Sequence, residues 1–385
     1  MKEDYLFWKL AEVFLRNHDY RVVSLSNSQN ELWLENMSNK NAPIIRLLRY
    51  DIDWSNWIRR DLQRTGTNGE RIRRKFMSRK IKVLTIYLSA FPPVDDYTWI
   101  NETFYFSSRG RVTVDTILID KNDTHTAFAK LHKYVENFTL VPMKDVFTLE
   151  DVKDARVRAL QEAEIKQKEV KQLLQVSKPF FTYLLVITQC LLFLWLELQG
   201  GSTNPSVLQK YGAKDNLLIL DGEWWRFFTP TFLHIGLLHL LMNTIALYFI
   251  GSEVERIFGK VRFLFIYLLS GMFGSMASFL FTDSLSAGAS GAIFGCFGAL
   301  LYFGYTYPQI FFRTMGMNVL LIIGINLLFG FSIQGIDNAA HIGGLLGGFV
   351  ATGIVHFPNQ KSLKSQGYFI TGSLVILSAI FLIGF

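Results

Sequence analysis

Apolar and polar residues are distributed differently in the two halves of the chain. Charged residues interrupt the apolar runs up to about residue 178, whereas long apolar stretches dominate from Pro179 onward. A helix needs about twenty apolar residues to cross the hydrocarbon core of a bilayer. Seven stretches of the second half approach this length: 180–198, 235–250, 263–281, 287–305, 317–333, 339–355 and 368–385. We therefore predict a membrane domain of seven transmembrane helices over residues 179–385.

The first half has the shorter, mixed patterns of an α/β (α+β) soluble domain, which we place at residues 1–147. Strands are predicted near 20–24, 31–35, 44–48, 82–89 and 111–119, and helices near 5–17, after Asp53 and near 124–135. The first helix interleaves charged and apolar residues, which predicts a surface helix and not an export signal. Leu149 to Leu174 carries Glu and Lys three or four positions apart, which is typical of an exposed helix. We predict that residues 148–178 form a charged helical linker.

Composition supports this division and limits the classes of function. Half of the 385 residues are hydrophobic and only 18% are charged, which is too apolar for an ordinary soluble enzyme. A membrane protein concentrates Lys and Arg on its cytoplasmic side, which accounts for the net charge of +7, so we expect no nucleic-acid partner. Cys190 and Cys296 both lie in apolar runs and predict neither a disulfide nor a metal site.

Basic residues in the short connections predict the orientation of the spans. They follow the second, fourth and sixth spans: Arg256, Lys260, Arg262, Arg313, Lys361 and Lys364. The other connections have few positive charges or offset them with Asp and Glu. We therefore expect a multi-pass protein of the cell membrane with a cytoplasmic N-terminus and with Phe385 outside. The apolar ending SAIFLIGF leads us to expect a missing external tail.

A few strongly polar side chains interrupt the predicted spans, and each is a candidate for function because its burial in lipid is costly. They lie at the outer ends of the second, fourth and sixth spans, and therefore at a similar depth: His234, His239, Asn243, Ser290, Asn338 and His341. A serine becomes a useful nucleophile when a base removes its proton, and a neutral imidazole suits that task. Ser290 and His341 are thus a candidate dyad. The Ser290 N–H, His239 and Asn243 are candidate donors to an oxyanion.

Other interpretations of the same residues remain open at this point. Small residues recur every three or four positions on the fourth and sixth spans, which lets two helices approach closely enough for a serine to reach a histidine. Ser290 as a helix cap and His341 as an interhelical hydrogen-bonding group are the structural alternatives. Intramembrane histidines also mark transport and proton-relay sites, so the residues alone favour neither catalysis nor transport.

Three separated motifs occur in an order that resembles the rhomboid intramembrane serine proteases: the stretch from Leu220 to Gly259, then GASG, then NAAHIGGLLGGF. The resemblance covers roughly residues 179–357, and the whole chain looks most like rhomboids of Gram-positive bacilli that carry an N-terminal cytoplasmic domain. It implies an all-α rhomboid fold of six core transmembrane helices plus one. It also implies a serine endopeptidase that needs no cofactor and cuts transmembrane segments of membrane proteins near their outer end.

The same resemblance implies roles for individual residues. Ser290 is expected to be the nucleophile and His341 its base, with His239 and Asn243 in the oxyanion site. Five further residues match positions that shape the site without reacting: His234, Trp225, Arg226, Gly288 and Phe294. Phe294 follows Ser290 by one turn and is expected to stack on His341. Because every catalytic position is filled, an active enzyme is favoured over a non-catalytic protein that binds membrane clients.

The soluble domain carries two weaker signals. Asp51, Asp53 and Asp61 are candidate ligands for a divalent cation, although the simpler interpretation makes Asp53 a helix cap and the others solvated. The basic stretch from Arg59 to Lys82 is a candidate contact for anionic lipid, although a solvated face is the simpler interpretation. We expect this domain to bind a cytoplasmic protein partner or regulator.

Overall fold

The computed structural model describes residues 1–106, 110–121, 124–138, 144, 146–333, 335–358 and 363–384. It divides into two compact units, Met1–Val170 and Lys171–Phe385. The division falls later than the predicted boundary at residue 147, because the start of the predicted linker helix packs on the first unit. Two of its alanines, Ala155 and Ala159, are buried in the core of that unit.

The first unit contains a six-stranded sheet with helices on both faces. Its strands are β1 (Arg21–Leu25), β2 (Glu31–Glu35), β3 (Ile44–Arg49), β4 (Ile81–Leu88), β5 (Phe104–Phe106) and β6 (Val112–Ile119). They are ordered β1-β2-β3-β4-β6-β5, with β3, β4 and β6 parallel and the other pairs antiparallel. The helices are α1 (Lys2–Asn17), α2 (Ser55–Lys75), α3 (Thr124–Tyr134) and α4 (Leu149–Leu174). Helix α2 packs on one face, and α1, α3 and α4 contribute to the core on the other.

The sequence patterns located most of these elements, but two predictions need correction. Strand β5 was not predicted. Helix α1 was predicted to be a surface helix, and this was wrong, because apolar side chains around most of its circumference are buried, including Phe7, Leu10 and Phe14. The reason is that α4 covers part of α1, where the Arg158 guanidinium pairs with the carboxylate of Glu12 at 3.2 Å.

The structure does not group Asp51, Asp53 and Asp61 as a cation site. Asp61 is buried, and its carboxylate accepts hydrogen bonds from Arg46 Nη2 at 3.0 Å and from the Tyr87 hydroxyl at 2.7 Å. Among the described residues, no group of three or more His, Cys, Asp or Glu side chains could hold a metal ion. The Arg46 guanidinium supplies the positive charge that a bound cation would otherwise bring to Asp61.

The start of α2 is also capped differently from the prediction for Asp53. Trp54 occupies the N-cap position, and the helix has no side-chain cap from that residue. Asp95 takes the role instead, because its carboxylate accepts hydrogen bonds from the Ser55 N–H and the Ser55 hydroxyl, both at 2.7 Å. These hydrogen bonds lower the pKa of Asp95.

The second unit is built from helices. In chain order they are α5 (Phe181–Leu198), α6 (Pro205–Lys210), α7 (Asn216–Leu220), α8 (Leu237–Ala246), α9 (Ser252–Phe258), α10 (Lys260–Phe281), α11 (Ser290–Thr306), α12 (Pro308–Thr314), α13 (Gly316–Ser332), α14 (Asn338–Val355) and α15 (Leu363–Gly384). A π-helical turn, Leu247–Gly251, joins α8 to α9, so the second predicted span continues to Phe258.

Each of the seven predicted spans coincides with a helix, but the helices differ in length. In the described part of the chain, four helices are long and apolar enough to cross a membrane, and the number rises to five if the pair α12–α13, bent by 74°, is one span. Helix α11 has only 17 residues, because it begins at Ser290 and not at Ala287. Lys361 and Phe385, which entered the prediction of orientation, lie outside the described residues.

Helices α10, α11 and α14 pack closely through glycines, and this packing positions the candidate site. Gly274 of α10 faces both other helices: a Cβ atom there would lie 2.8 Å from the Ala340 carbonyl oxygen of α14 and 3.3 Å from the Gly291 Cα of α11. Gly344 of α14 lies directly against the Gly291 carbonyl group, where a side chain would overlap it. The prediction that small residues bring the fourth and sixth spans together is confirmed.

Candidate active site

Ser290 begins α11 directly after a loop. The last two residues of this loop are each fixed by a backbone hydrogen bond. The Gly288 N–H donates to the Pro230 carbonyl oxygen at 2.9 Å, and the Ala289 N–H donates to Nε2 of the buried His234 at 3.5 Å. The alternative of Ser290 as a helix cap is not supported, because Ala289 occupies the N-cap position of α11. Ser290 is only partly buried, so its hydroxyl is accessible.

His341 lies in the first turn of α14, whose start is capped by Asp337. The Asp337 carboxylate accepts from the Ala340 N–H at 2.9 Å and from the Ser278 hydroxyl, and the Asp337 carbonyl oxygen accepts from the His341 N–H at 3.2 Å. The imidazole is buried, and its Nδ1 has no partner in the described part of the chain. No carboxylate of the described residues therefore accepts a hydrogen bond from Nδ1, and the alternative of an interhelical hydrogen bond from this atom is not supported.

Phe294 orients the imidazole by direct contact. The rings of Phe294 and His341 stack with their centroids 4.2 Å apart and their planes inclined by only 9°. The predicted stacking is thereby confirmed. Because Phe294 follows Ser290 by one helical turn, the stack and the Gly291–Gly344 contact bring the start of α11 next to His341. No hydrogen bond joins the Ser290 hydroxyl to the imidazole among the described residues, and such bonds often tighten only when substrate binds.

The two candidate oxyanion residues, His239 and Asn243, share one face of α8. The His239 ring packs on Gly288, where a Cβ atom would lie 2.6 Å from the His239 Cε1, and it contacts the His234 ring edge-on at 5.4 Å. The Asn243 Nδ2 donates to the His239 carbonyl oxygen at 3.0 Å, which occupies one of its two hydrogens. The structure thus brings His239 to the loop before Ser290, whereas no hydrogen bond links Asn243 to Ser290 within the described residues.

Trp225 and Arg226 lie in a short 3-10 helix, Trp224–Phe227, between α7 and α8. The Arg226 guanidinium is buried and donates to the carbonyl oxygens of Gln209 at 2.7 Å and Ala213 at 2.9 Å. The neighbouring Trp225 is 54% exposed. Arg226 therefore ties the connection together, and it leaves the indole of Trp225 free to contact an interface of lipid and water.

Sequence reasoning missed Glu255, a fully buried carboxylate in α9. It accepts hydrogen bonds from the N–H groups at the start of α5: Phe180 at 2.8 Å, Phe181 at 2.9 Å and Thr182 at 2.8 Å. A carboxylate at a helix N-terminus is favourable because it pairs donors that the helix leaves free and interacts with the helix dipole. In the sequence, Glu255 stands out only as an acidic residue shortly after an apolar span.

Comparisons with known proteins agree with this arrangement. A family model described as the rhomboid domain matches residues 221–357. The rhomboid protease GluP of Bacillus subtilis is 39% identical over 388 aligned residues, which cover 99% of this chain and 73% of GluP. RHOMBOID-like protein 5 of Arabidopsis thaliana is 44% identical over 38% of this chain and 49% of its own length. RHOMBOID-like protein 4 of the same plant is 38% identical over 46% of this chain and 50% of its own length.

The similarity to GluP extends through both units, so it covers more than the membrane-spanning helices. The matched family region contains both Ser290 and His341, as well as the glycine contacts between α11 and α14. Identity at this level over nearly the whole chain establishes the family. The chain belongs to the rhomboid family of intramembrane serine proteases.

Proposed function

We propose that Ser290 and His341 are the catalytic dyad of this protease, and that it cuts transmembrane segments of membrane proteins near their outer end. One observation carries the assignment: His341 stacks on Phe294, one turn from Ser290, where α11 and α14 are in glycine contact. The hydroxyl and the imidazole then lie on facing helices at the same end of each helix. Rhomboid proteases need no cofactor, and each step below uses groups of the chain, the substrate and water.

In the first half of the reaction, His341 accepts the proton of the Ser290 hydroxyl while Oγ attacks the scissile carbonyl carbon. The tetrahedral intermediate then collapses, the C–N bond breaks, and the imidazolium gives its proton to the leaving amine. This leaves an ester between Ser290 and the N-terminal product. In the second half a water molecule attacks the ester with His341 again acting as base, which releases the acid and restores the hydroxyl.

Three groups support the assignment of an oxyanion site. The Ser290 N–H lies at the start of a helix, where backbone donors have no partner within the helix. The His239 ring lies against Gly288, and Asn243 retains an amide hydrogen after its bond to the His239 carbonyl oxygen. Removing one such donor lowers kcat by about 10²–10³-fold in serine proteases.

The substrate must expose a peptide bond that a helix normally hides. Backbone groups in lipid are satisfied by helical hydrogen bonds, so the scissile segment has to unwind before Ser290 can attack it. We therefore expect small residues at the cleaved bond and helix-destabilising residues nearby. The exposed Trp225 supports a site near an interface of lipid and water.

The test of the dyad is cleavage of a single-span model substrate by the full chain in liposomes. Ser290→Ala and His341→Ala should each lower the rate by roughly 10⁶-fold, which is below detection. Ser284→Ala and His125→Ala are the matched controls, because Ser284 lies in the same loop and both residues are exposed. A fluorophosphonate should label the parent at Ser290. Cleavage by either dyad variant at the rate of the parent would overturn the assignment.

The orientation and the role of the soluble domain are separate proposals. Basic residues follow the second, fourth and sixth spans, which supports a cytoplasmic N-terminus and an external C-terminus. Protease added outside intact spheroplasts should then leave residues 1–147 intact, and their digestion would contradict this orientation. We propose that these residues bind a cytoplasmic partner or regulator, and that residues 148–178 connect them to the membrane domain at 179–385. Cross-linking in cells should capture such a partner on the soluble domain.

A further inference from the structure

Lys214 is a buried lysine that neither the dyad nor the oxyanion site uses. It lies between α6 and α7 and is fully buried. Its ammonium Nζ donates to two carbonyl oxygens, that of Thr282 at 2.5 Å and that of Ser284 at 3.2 Å. Among the described residues Lys214 forms no ion pair, so backbone carbonyl groups bind its charge. A buried charge is costly unless it is well bound, and this one needs a physical explanation.

Both of these carbonyl groups belong to the loop of residues 282–289, which leads directly into Ser290. The backbone of Lys214 pairs with the same loop, because its N–H donates to the Ser286 carbonyl oxygen at 2.8 Å and its own carbonyl oxygen accepts from the Ser286 N–H at 3.1 Å. The Asn216 Nδ2 adds a hydrogen bond to the Thr282 carbonyl oxygen at 3.3 Å. One short segment therefore holds the loop at several points within eight residues of the nucleophile.

The far end of the loop is held by different groups. Gly288 and Ala289 donate to the Pro230 carbonyl oxygen and to His234, as described above. The position of Ser290 thus depends on uncharged hydrogen bonds along the loop and on one charged anchor, the Lys214 ammonium at residues 282–284. Loss of the ammonium loosens the first half of the loop, while the backbone pair at Ser286 and the Asn216 hydrogen bond remain and α10 and α11 can stay folded.

Charged groups from several elements face Lys214. Three are aspartates: Asp215 on its own segment, Asp283 in the loop and Asp337 at the start of α14. The fourth group is the ion pair of Arg226 and Glu223, in which the Arg226 guanidinium also binds the carbonyl oxygen of Ala213, the residue before Lys214. Burial lowers the pKa of the Lys214 ammonium, and the three aspartates oppose this shift. A neutral amine keeps two N–H donors but loses the charge that strengthens both hydrogen bonds.

We propose that Lys214 is a positioning residue for proteolysis: its ammonium holds the loop 282–289 so that Ser290 stays within reach of His341. This proposal rests on the dyad assignment. A purely structural tether affects only how readily the protein unfolds. A positioning residue also sets kcat and the reactivity of Ser290 in molecules that remain folded.

The test compares Lys214→Met and Lys214→Arg with the control Lys210→Met, which removes an exposed lysine from the same connection. For each full-length variant in liposomes, kcat, KM, the rate of fluorophosphonate labelling at Ser290 and the unfolding temperature are measured. Lys214→Met should lower kcat and the labelling rate by about tenfold or more at unchanged KM, as expected for a misplaced nucleophile. Lys214→Arg should recover most of this loss, and Lys210→Met should match the parent.

Two results overturn the proposal. One is a folded Lys214→Met variant that is labelled at the parent rate. The other is a labelling rate that declines at the same alkaline pH in the parent and in Lys214→Arg. If Lys214→Met does not fold, this pH comparison decides: raising the pH toward about 10, where lysine loses its proton, should slow labelling of the parent before that of Lys214→Arg.

A second measurement separates this proposal from the dyad assignment. Hydrogen exchange at residues 282–289 is compared between Ser290→Ala and the double variant Ser290→Ala/Lys214→Met, neither of which needs to be active. Faster exchange confined to this loop supports the anchor even if Ser290 is not the nucleophile. Unchanged exchange refutes the anchor even if Ser290→Ala abolishes cleavage.

Discussion

Gly274 offers the sharpest test of the packing that holds the dyad. A Cβ atom at this position would lie 2.8 Å from the Ala340 carbonyl oxygen, whereas ordinary contacts of a Cβ begin at 3.4 Å. Gly274→Ala therefore requires α10 and α14 to separate by about 0.6 Å at this point. The displacement reaches both members of the dyad, because Ala340 precedes His341 and the other neighbour, Gly291, follows Ser290.

The size of the effect follows from these contacts. Overpacking a well-packed core costs about 1–3 kcal/mol of the free energy of unfolding. Replacing a helical glycine by alanine returns about 1 kcal/mol through backbone entropy, so the net destabilisation should be about 0–2 kcal/mol. Activity should suffer more, because misplacing catalytic groups by a fraction of an ångström to one ångström lowers kcat by roughly tenfold to a hundredfold.

Gly324→Ala in α13 is the matched control, because a Cβ atom there would meet nothing within 4 Å. It should leave kcat unchanged and should leave the unfolding temperature equal to or slightly above that of the parent. Both variants are assayed in liposomes by steady-state cleavage of a single-span substrate and by thermal unfolding. We expect the kcat of Gly274→Ala to lie about tenfold or more below that of the control. If it lies within about twofold of the control, close packing does not hold the dyad.

Three further predictions concern individual side chains. Phe294→Leu removes a ring stack worth about 0.5–1.5 kcal/mol, so kcat should fall about two- to tenfold at constant KM; an unchanged kcat in steady-state assays contradicts the stacking role. Glu255→Ala leaves the donors at the start of α5 without their carboxylate and should lower the free energy of unfolding by about 1–3 kcal/mol, which a reduced unfolding temperature would report. Asp61→Asn removes one of the two carboxylates that pair with Arg46, the other being that of Glu31, and should destabilise the first unit by about 1–3 kcal/mol in denaturant unfolding followed by near-UV circular dichroism. The exposed Asp51→Asn is its control and should change stability by less than about 0.5 kcal/mol; equal effects of the two variants would contradict the buried ion pair.

Local patterns in the sequence predicted the fold well where local interactions determine it. Alternation located Glu31–Glu35 to the residue, and charge spacing located Leu149–Leu174 in the same way. Strand β5 was missed because its three residues carry too short a pattern, and its position depends on pairing with β6 and on Phe106 packing against Gly66 of α2. The bend between α12 and α13 was also missed. A count of apolar residues does not report such a bend.

The residues of the candidate site also fall into two groups, those that local motifs predicted and those that they did not. The positions of Ser290, His341 and Phe294 were predictable because the motifs place a serine, a histidine and an aromatic ring near helix starts. Lys214 and Glu255 were not, because both bind backbone groups on distant segments of the chain. A sequence does not indicate which backbone groups a fold leaves without partners. The aspartate pattern near α2 misled for a related reason, since the arginine that pairs with Asp61 lies on β3.

The surroundings of His341 in the described residues give a physical reason for the proposed dyad to rely on packing and not on a third catalytic side chain. A carboxylate beside His341 would have to be buried at membrane depth, where an acidic group is costly unless it has several donors. Asp337, which caps the start of α14, already accepts hydrogen bonds from the Ala340 N–H and the Ser278 hydroxyl. Ring stacking and glycine contacts need no charge, so they orient the imidazole without this cost. The consequence is that catalysis should depend on the spacing between helices, and glycine substitutions at that interface should lower kcat even where the protein stays folded.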